Sequence, residues 1–167
     1  YLASGDAALA LEQSEKILGS QPKDENTLLT SGAAYFRKGD FKKALARFKQ
    51  AQEVNPKSIS ARMDIAAVYA IEKKYPQAIT TYEEVLTLAP DNIDALNSLV
   101  TIYLGQGKKK EALERAEQHL SKTKNQASVY QTLGQITLST KDFKRGIGYL
   151  EKAIEINPNL GSAYVLT

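Results

Sequence analysis

Hydrophobic residues recur along the chain at spacings of three and four, which is the pattern of α-helices with one apolar face. A representative stretch has its apolar side chains at Phe41, Ala44, Leu45, Phe48 and Ala51. Asp40 is predicted to cap this helix, as Asp24 and Ser58 cap two others, and Asn55-Pro56 ends it because the residue before proline disfavours helical angles. The same pattern predicts helices at about 6–19, 24–38, 41–54, 58–72, 75–88, 92–106, 109–122, 126–140, 143–156 and 160–167.

A period of 34 residues organises these helices. Three series of side chains share it: Pro22, Pro56 and Pro90, with Lys124 and then Pro158 at the next steps; Tyr1, Tyr35, Tyr69 and Tyr103; and Ala10, Ala44, Ala78 and Ala112, followed by Gly146. Each period holds two helices, so the period is that of an array of stacked helix pairs.

Small residues mark the places where two helices of a pair must touch. One such position in the first helix of a period holds Gly32, Ala66 and Gly134, and one in the second helix holds Ala44, Ala78 and Ala112. A residue without bulk lets two helix axes approach closely, and large partners are then expected to fill the space beside the contact. We predict that Tyr35, Phe48, Tyr69 and Tyr82 do so.

The pattern Leu28, Gly32, Tyr35, Ala44, Phe48, Ala51 and Pro56 resembles the tetratricopeptide repeat. The resemblance implies an all-α, right-handed superhelical solenoid of antiparallel helix pairs, with the first helices lining a concave groove. It also implies a scaffold that binds segments of other proteins. We predict a single array over 1–167, with the second half of a repeat at 1–24, full repeats at 25–58, 59–92, 93–126 and 127–160, and the start of a further repeat at 161–167. Repeats cut at both ends indicate a fragment of a longer array.

The third and fourth repeats depart from the pattern. Ala116 replaces a large aromatic residue, Lys124 replaces a proline, Thr137 replaces a tyrosine, and Gly146 and Gly148 lie inside a predicted helix. We interpret these departures as drift between repeats. The alternative is a softer joint over 112–150.

The side chains offer little catalytic chemistry. The sequence has no cysteine and one histidine, which excludes thiol nucleophiles and multi-histidine metal sites. His119 aligns with Ala51, Val85 and Ala153, so we expect a packed structural residue. The stretch from Gly105 to Ala112, GQGKKKEA, lacks the remaining residues of a phosphate-binding loop. We therefore predict no catalytic residue, no metal and no cofactor. The run Lys108–Lys110 is interpreted as a solvated face, with a weak patch for phosphate or an acidic partner as the alternative.

The resemblance implies that residues two, five, six and nine of each repeat face the groove. The predicted partner-binding residues among them are Asn26, Leu29, Ala33, Met63, Asp64, Ala67, Asp94, Asn97, Thr101, Gln131 and Gln135; the same positions also hold Thr30, Ser60, Ser98, Ser128 and Thr132. None of the sixteen is Lys or Arg, so the clamp by which some relatives hold a C-terminal carboxylate is not supported. The early groove is apolar and the later groove carries amides and hydroxyls.

Asp64 and Asp94 are expected to lie near each other, because position six of one repeat adjoins position two of the next. Two carboxylates there favour a Lys or Arg of the partner. We therefore predict a groove for a neutral-to-basic peptide with an apolar anchor. The alternative is that these residues are merely solvated and that the partner uses other repeats.

Charge and hydropathy restrict the remaining partners. The net charge is +3 and its sign alternates over the first four segments, 1–24, 25–58, 59–92 and 93–126, which argues against a continuous nucleic-acid surface. No apolar run approaches the ~20 residues of a membrane-spanning helix, so we predict no direct membrane insertion. The predicted function is a non-catalytic protein-interaction scaffold. The alternatives are a self-assembly module that forms a homo-oligomer through exposed terminal repeats, and the substrate-recruiting arm of a larger enzyme or of a secretion or envelope assembly. A cytoplasmic and a bacterial-envelope location are both compatible with the sequence.

Overall fold

A computed structural model describes residues 2–163 of the chain, with side chains over 7–160. The chain forms two compact units, Tyr1–Leu88 and Ala89–Thr167. All regular secondary structure in the described range is helical, as the hydrophobic pattern predicts.

Unit 1 consists of five α-helices joined by short turns. They are α1 (Leu2–Ser20), α2 (Glu25–Arg37), α3 (Phe41–Val54), α4 (Ile59–Ile71) and α5 (Tyr75–Leu88). Each helix packs against the next, and α2 also contacts α4. Because successive helices are antiparallel, α2 and α4 run in the same direction and end on the same side of the unit.

Unit 2 has the same plan with four α-helices. They are α6 (Ile93–Gly105), α7 (Lys109–His119), α8 (Gln126–Ser139) and α9 (Phe143–Ile156), and a 3₁₀ helix follows at Pro158–Ala163. Here α6 contacts α8 in addition to the sequential contacts. The first helices of neighbouring pairs are thus adjacent within each unit.

The nine predicted helices from 6–19 to 143–156 are confirmed, and two of their ends differ from the prediction by more than one residue. The first helix begins at Leu2, four residues earlier than predicted, and α7 ends at His119 instead of at 122. The tenth predicted helix, 160–167, was wrong in its described part, because 160–163 belong to the 3₁₀ helix. Residues 164–167 lie outside the described range. The division into repeats at the stated boundaries stays a prediction.

Capping side chains set the starts of several helices. Asp24, Asp40 and Ser58 accept hydrogen bonds from the backbone N–H groups of Thr27, Lys43 and Ala61, which confirms the three predicted caps. Asn92 and Asp142 do the same for α6 and α9. The cap satisfies an N–H group that has no partner inside the helix.

Glycine is required where two helices of a pair touch. A Cβ atom at Gly32 would lie 2.4 Å from Cε1 of Phe48, and one at Gly134 would lie 2.6 Å from Cδ2 of Leu150. A Cβ atom at Gly146 would lie 2.8 Å from Cδ2 of Leu138. The predicted close contacts are confirmed, and Gly146 is a packing residue of α9.

The core of unit 1 connects successive helix pairs. One cluster joins Leu18, Leu28, Ala51 and Ala61, which come from four different helices. A second cluster joins Ala44, Phe48, Ile65 and Val68, with the half-buried Tyr35 and Tyr69 packed against it. The aromatic side chains therefore fill the space beside the small residues. In unit 2, buried Leu96, Leu99, Val129 and Leu133 supply comparable apolar volume.

Polar contacts also join one helix pair to the next. The Glu15 carboxylate of α1 accepts hydrogen bonds from Arg47 of α3, and the Glu117 carboxylate of α7 accepts them from Tyr149 of α9. Glu15 and Glu117 are 102 residues apart, as are Arg47 and Tyr149, so both contacts occupy one position of the 34-residue period.

Candidate functional site

The predicted groove positions of unit 1 lie on two adjacent helices, α2 and α4. Leu29 is half-buried and packs against both apolar clusters of the unit. Ala33, Met63 and Ala67 are also half-buried, whereas Asn26 is exposed. Ala33 and Ala67 are small and Met63 is flexible, and part of the apolar surface of these three side chains is open to a ligand.

Asp64 is the charged member of this set. Burial raises the pKa of its carboxyl group from the usual 3.8 to about 6, because the helices around it displace water from the charged form. The group remains mostly ionised at neutral pH, but it does so with incomplete hydration. A cationic side chain brought next to it would replace the lost hydration.

The predicted positions of unit 2 carry polar side chains. Asp94, Asn97, Thr101 and Gln135 are exposed, and Gln131 is half-buried. The carboxylate, amide and hydroxyl groups of these residues suit hydrogen bonds to a peptide backbone.

One predicted groove position of unit 2 is corrected. Thr132 is buried, and its hydroxyl group lies 2.7 Å from Oδ1 of Asn97 and 3.0 Å from the carbonyl oxygen of Ser128. This side chain therefore links α8 to α6 and does not face solvent. The Thr101 hydroxyl donates to the carbonyl of Asn97 on its own helix, at 2.8 Å. The expected proximity of Asp64 and Asp94 stays a prediction, since the two residues belong to different units.

His119 is a structural residue, as predicted. Its side chain is buried, and its Nε2 atom lies 2.7 Å from the carbonyl oxygen of Pro90. Nearby, the Asp91 carboxylate accepts hydrogen bonds from the Thr123 hydroxyl at 2.7 Å and from the Lys124 backbone N–H at 2.8 Å. Both hydrogen bonds lower the pKa of Asp91 below its usual value, and the bond from Thr123 has the larger effect.

The network explains why α7 ends early. Thr123 and Lys124 are held in a loop by Asp91, at the place where other repeats use proline to end the helix. The roles of Asp91 and Thr123 were not predicted from the sequence, because a polar pair separated by 32 residues leaves no local pattern.

A cavity of about 530 Å³ in unit 1 lies apart from the predicted groove residues. It is lined by Arg62, Ile79, Thr80, Glu83, Glu84, Thr87 and Leu88. Arg62 stands one period after Leu28, at a position where an apolar residue is expected, and its Nε atom lies 3.5 Å from Oε2 of Glu84. The cation of this cavity is thus paired within the chain, which makes the cavity a weaker candidate than the α2–α4 surface.

The described part of the chain offers neither a metal site nor a membrane-spanning helix. Among residues 2–163, no three His, Asp or Glu side chains are grouped closely enough to hold a metal ion. Over the same range, every helix is too short or too polar to cross a lipid bilayer.

Family models match the chain over most of its length. Two models of the tetratricopeptide repeat match residues 69–136 and 127–160. A third model, described as anaphase-promoting complex, cyclosome, subunit 3, matches residues 5–85. No curated protein matches the sequence significantly.

Several solved structures share the fold at low sequence identity. A crystal structure of MamA is 22% identical, with a TM-score of 0.70, and the match covers 95% of this chain and 92% of that one. MamA from Desulfovibrio magneticus RS-1, from residue 41 to its end, is 22% identical, with a TM-score of 0.67 and coverage of 95% and 89%. YrrB, described as a TPR protein with an unusual peptide-binding site, is 18% identical, with a TM-score of 0.63 and coverage of 89% and 76%. These similarities agree with an all-α fold of repeated helix pairs.

Proposed function

Because the chain belongs to the tetratricopeptide-repeat family, we propose that it is a non-catalytic scaffold that binds a peptide segment or helix of a partner protein. The proposed site in each unit is the surface formed by the first helices of its pairs: α2 and α4 in unit 1, and α6 and α8 in unit 2. A repeat array presents such a surface as an open face, which suits a peptide segment better than chemistry from which water must be excluded.

The observation that carries the proposal is the half-buried carboxylate of Asp64 beside open apolar side chains. Met63 precedes it and Ala67 follows it by one turn on α4, and both are half-buried, as are Leu29 and Ala33 on α2. An aliphatic side chain of a partner would bury the remaining apolar surface at about 25 cal/mol per Å². A neighbouring Lys or Arg would pair with Asp64. We therefore propose a neutral-to-basic ligand with an apolar anchor.

The polar residues of unit 2 suit the backbone of a peptide ligand. Asn97 and Gln135 are exposed amides, and Asp94 is an exposed carboxylate on α6. An extended segment needs partners for its N–H and C=O groups, and amide side chains supply both. YrrB is described as binding peptide, which supports this class of ligand for a protein of the same fold.

A peptide array tests the proposal directly. We expect peptides with one Lys or Arg next to Leu, Ile or Met to be enriched, and the variant Asp64→Lys with Asp94→Lys to lose that preference at least about tenfold. Glu12→Lys with Glu151→Lys changes the net charge equally at exposed sites away from α2, α4, α6 and α8, and it serves as the control. Unchanged selection and unchanged salt dependence in the Asp64 and Asp94 variant would contradict the proposal.

A self-assembly module is the second candidate, favoured by the outer face of α9. Phe143 and Ile147, one turn apart, are 60% and 54% exposed. Exposed apolar residues grouped on one helix face are typical of an interaction surface. If this face joins copies, the sedimentation coefficient of the chain rises with concentration, and Phe143→Ser with Ile147→Ser removes the rise. A coefficient independent of concentration would exclude this candidate.

A further inference from the structure

Positive charge is concentrated at the turns that join the two helices of each pair. The four stretches 37–44, 71–78, 105–112 and 139–146 hold 12 of the 22 Lys and Arg residues but only 4 of the 19 Asp and Glu residues. The rest of the chain holds 10 basic and 15 acidic residues. A chain of small net charge therefore has basic turns and an acidic remainder.

The fold of unit 1 brings two of these turns to one side. Since α2 contacts α4 and both run in the same direction, the turns that follow them are neighbours. Their basic side chains are all exposed: Arg37, Lys38, Lys42, Lys43, Lys73 and Lys74. We call this set the basic edge of unit 1.

The acidic side chains of this edge are already paired within it. Asp40 Oδ2 lies 3.3 Å from Nζ of Lys43, and Glu72 Oε2 lies 2.9 Å from Nζ of Lys74. Asp40 also caps α3. The edge therefore retains a surplus of positive charge.

Unit 2 repeats the arrangement. Its two turns follow α6 and α8, which contact each other, and their basic residues are exposed: Lys108, Lys109, Lys110, Lys141, Lys144 and Arg145. In this unit Lys110 lies 3.5 Å from Glu114 and Arg145 lies 3.2 Å from Glu117, so part of the positive charge is paired within the unit.

The backbone of each turn has one position that favours glycine. One residue in each turn has a positive φ angle: Gly39 at 78°, Lys73 at 59°, Gly107 at 75° and Lys141 at 65°. Glycine adopts this conformation without a steric penalty, whereas a side chain with a Cβ atom is disfavoured there. Among residues 2–163, the non-glycine residues with positive φ are these two lysines. Two turns therefore carry a cation at a backbone position that favours glycine.

We propose that the basic edge of unit 1, repeated in unit 2, docks an acidic segment of a partner protein. This surface is separate from the α2–α4 surface and does not depend on it. Ten of the twelve basic residues are lysines, whose mobile point charges suit a run of carboxylates better than bidentate recognition of phosphate, for which arginine is preferred. In unit 1, Phe36 and Phe41 are half-buried with ring centroids 5.5 Å apart, so the edge has no protruding aromatic residue to enter a bilayer.

The test uses the whole chain and a fluorescent peptide of about 20 residues that alternates Glu and Ser. We expect binding that weakens as salt rises from about 0.02 to 0.2 M, because exposed charges are screened over about a Debye length. In a chain whose unit 2 edge is already neutralised by Lys108→Gln, Lys141→Gln and Lys144→Gln, adding Lys38→Gln, Lys42→Gln and Lys73→Gln is expected to weaken binding about tenfold further. The control Lys16→Gln, Lys23→Gln, Lys57→Gln removes the same charge from exposed sites of unit 1 outside the edge, and it is expected to change affinity less than about twofold.

Single variants separate charge from folding. Lys73→Gly is expected to raise the Tm, because it relieves the backbone, and to weaken peptide binding. Gly39→Lys is expected to lower the Tm and to strengthen peptide binding. A Lys73→Gly variant that binds the peptide as well as the parent chain would contradict the proposal.

Two other results would also overturn it. Equal losses in the edge and control variants would mean that net charge alone drives binding. Tighter, edge-dependent binding to phosphatidylserine vesicles or to duplex DNA than to the acidic peptide would assign the edge to another class of partner. Because Phe143 is exposed beside the basic turn at the start of α9, the vesicle measurement also tests whether this ring contributes to membrane binding.

Discussion

The Arg47 guanidinium donates two hydrogen bonds to the Glu15 carboxylate, at 2.8 and 2.6 Å, and so links two second helices that are neighbours in unit 1. The buried Ser31 hydroxyl of the intervening first helix donates to the same carboxylate at 2.9 Å. One carboxylate thus joins α1, α2 and α3. The Glu117 and Tyr149 contact of unit 2, at 2.7 Å, lies at the same position of the period.

Glu15→Ala is predicted to destabilise unit 1 by about 1–2 kcal/mol. The change removes a partly exposed ion pair, which contributes little, and leaves the buried Ser31 hydroxyl without its acceptor, which costs more. Urea unfolding of the variant measures the loss. Glu12→Ala, at an exposed site of the same helix, is the control and is expected to change stability by less than about 0.5 kcal/mol. Equal effects of the two variants would show that the contact contributes nothing.

Gly32→Ala is predicted to lower the free energy of unfolding by about 1–2 kcal/mol. The new methyl group would overlap the Phe48 ring, and this strain exceeds the gain in helix propensity of about 1 kcal/mol. Gly148→Ala is the matched control, because a Cβ atom there meets nothing within 4 Å and the substitution is expected to stabilise α9. Thermal unfolding of both variants checks the opposite signs. A stabilised Gly32→Ala chain would mean that Phe48 moves aside at little cost.

Asp64→Asn is predicted to stabilise the chain at pH 8 and to have little effect at pH 3. The folded state raises the pKa of Asp64 to about 6, so the unfolded state ionises first and the parent chain loses stability as the pH rises from about 4 to above 6. The expected gain at pH 8 is about 1–2 kcal/mol, after allowance for the partial exposure of the group. Urea unfolding at several pH values measures it, and Ser60→Ala on the same helix is the control. A gain in the free energy of unfolding that does not vary with pH would show that the raised pKa of Asp64 is not its cause.

Asp91→Ala is predicted to lower the Tm and to expose the Lys124 amide to hydrogen exchange. The carboxylate is the acceptor for that N–H and for the Thr123 hydroxyl, so both lose their partner. Because the pKa of Asp91 is lowered in the folded state, its contribution is present above pH 3.8 and is lost as the pH falls below that value. Thr123→Val removes both bonds of the hydroxyl, to Asp91 and from the Asn125 N–H, but keeps the bond from the Lys124 N–H to Asp91, so the Lys124 amide is expected to stay protected. In Asp91→Ala, exchange at Lys124 that matches the parent chain would show that the loop is held by other contacts.

The helices could be predicted from the sequence more completely than the candidate site. The helix positions, the three caps and the close helix contacts at the small residues Gly32 and Gly134 followed from local spacing and from the period. Thr132 shows the limit of that method, because the period put it in the groove while its hydroxyl bonds to Asn97 on another helix. A period reports which positions are equivalent, but it does not report which side chain fills a particular contact.

The amino-acid sequence alone determined the class of fold, since apolar spacing, capping residues and helix-ending prolines act within a few residues of one another. Only the tertiary structure decided which polar groups meet. Glu15 with Arg47 and Asp91 with Thr123 are pairs separated by 32 residues, and their contact depends on how one helix pair packs on the next. The pKa of Asp64 likewise depends on the helices that displace water from it, and that displacement exists only once the chain has folded.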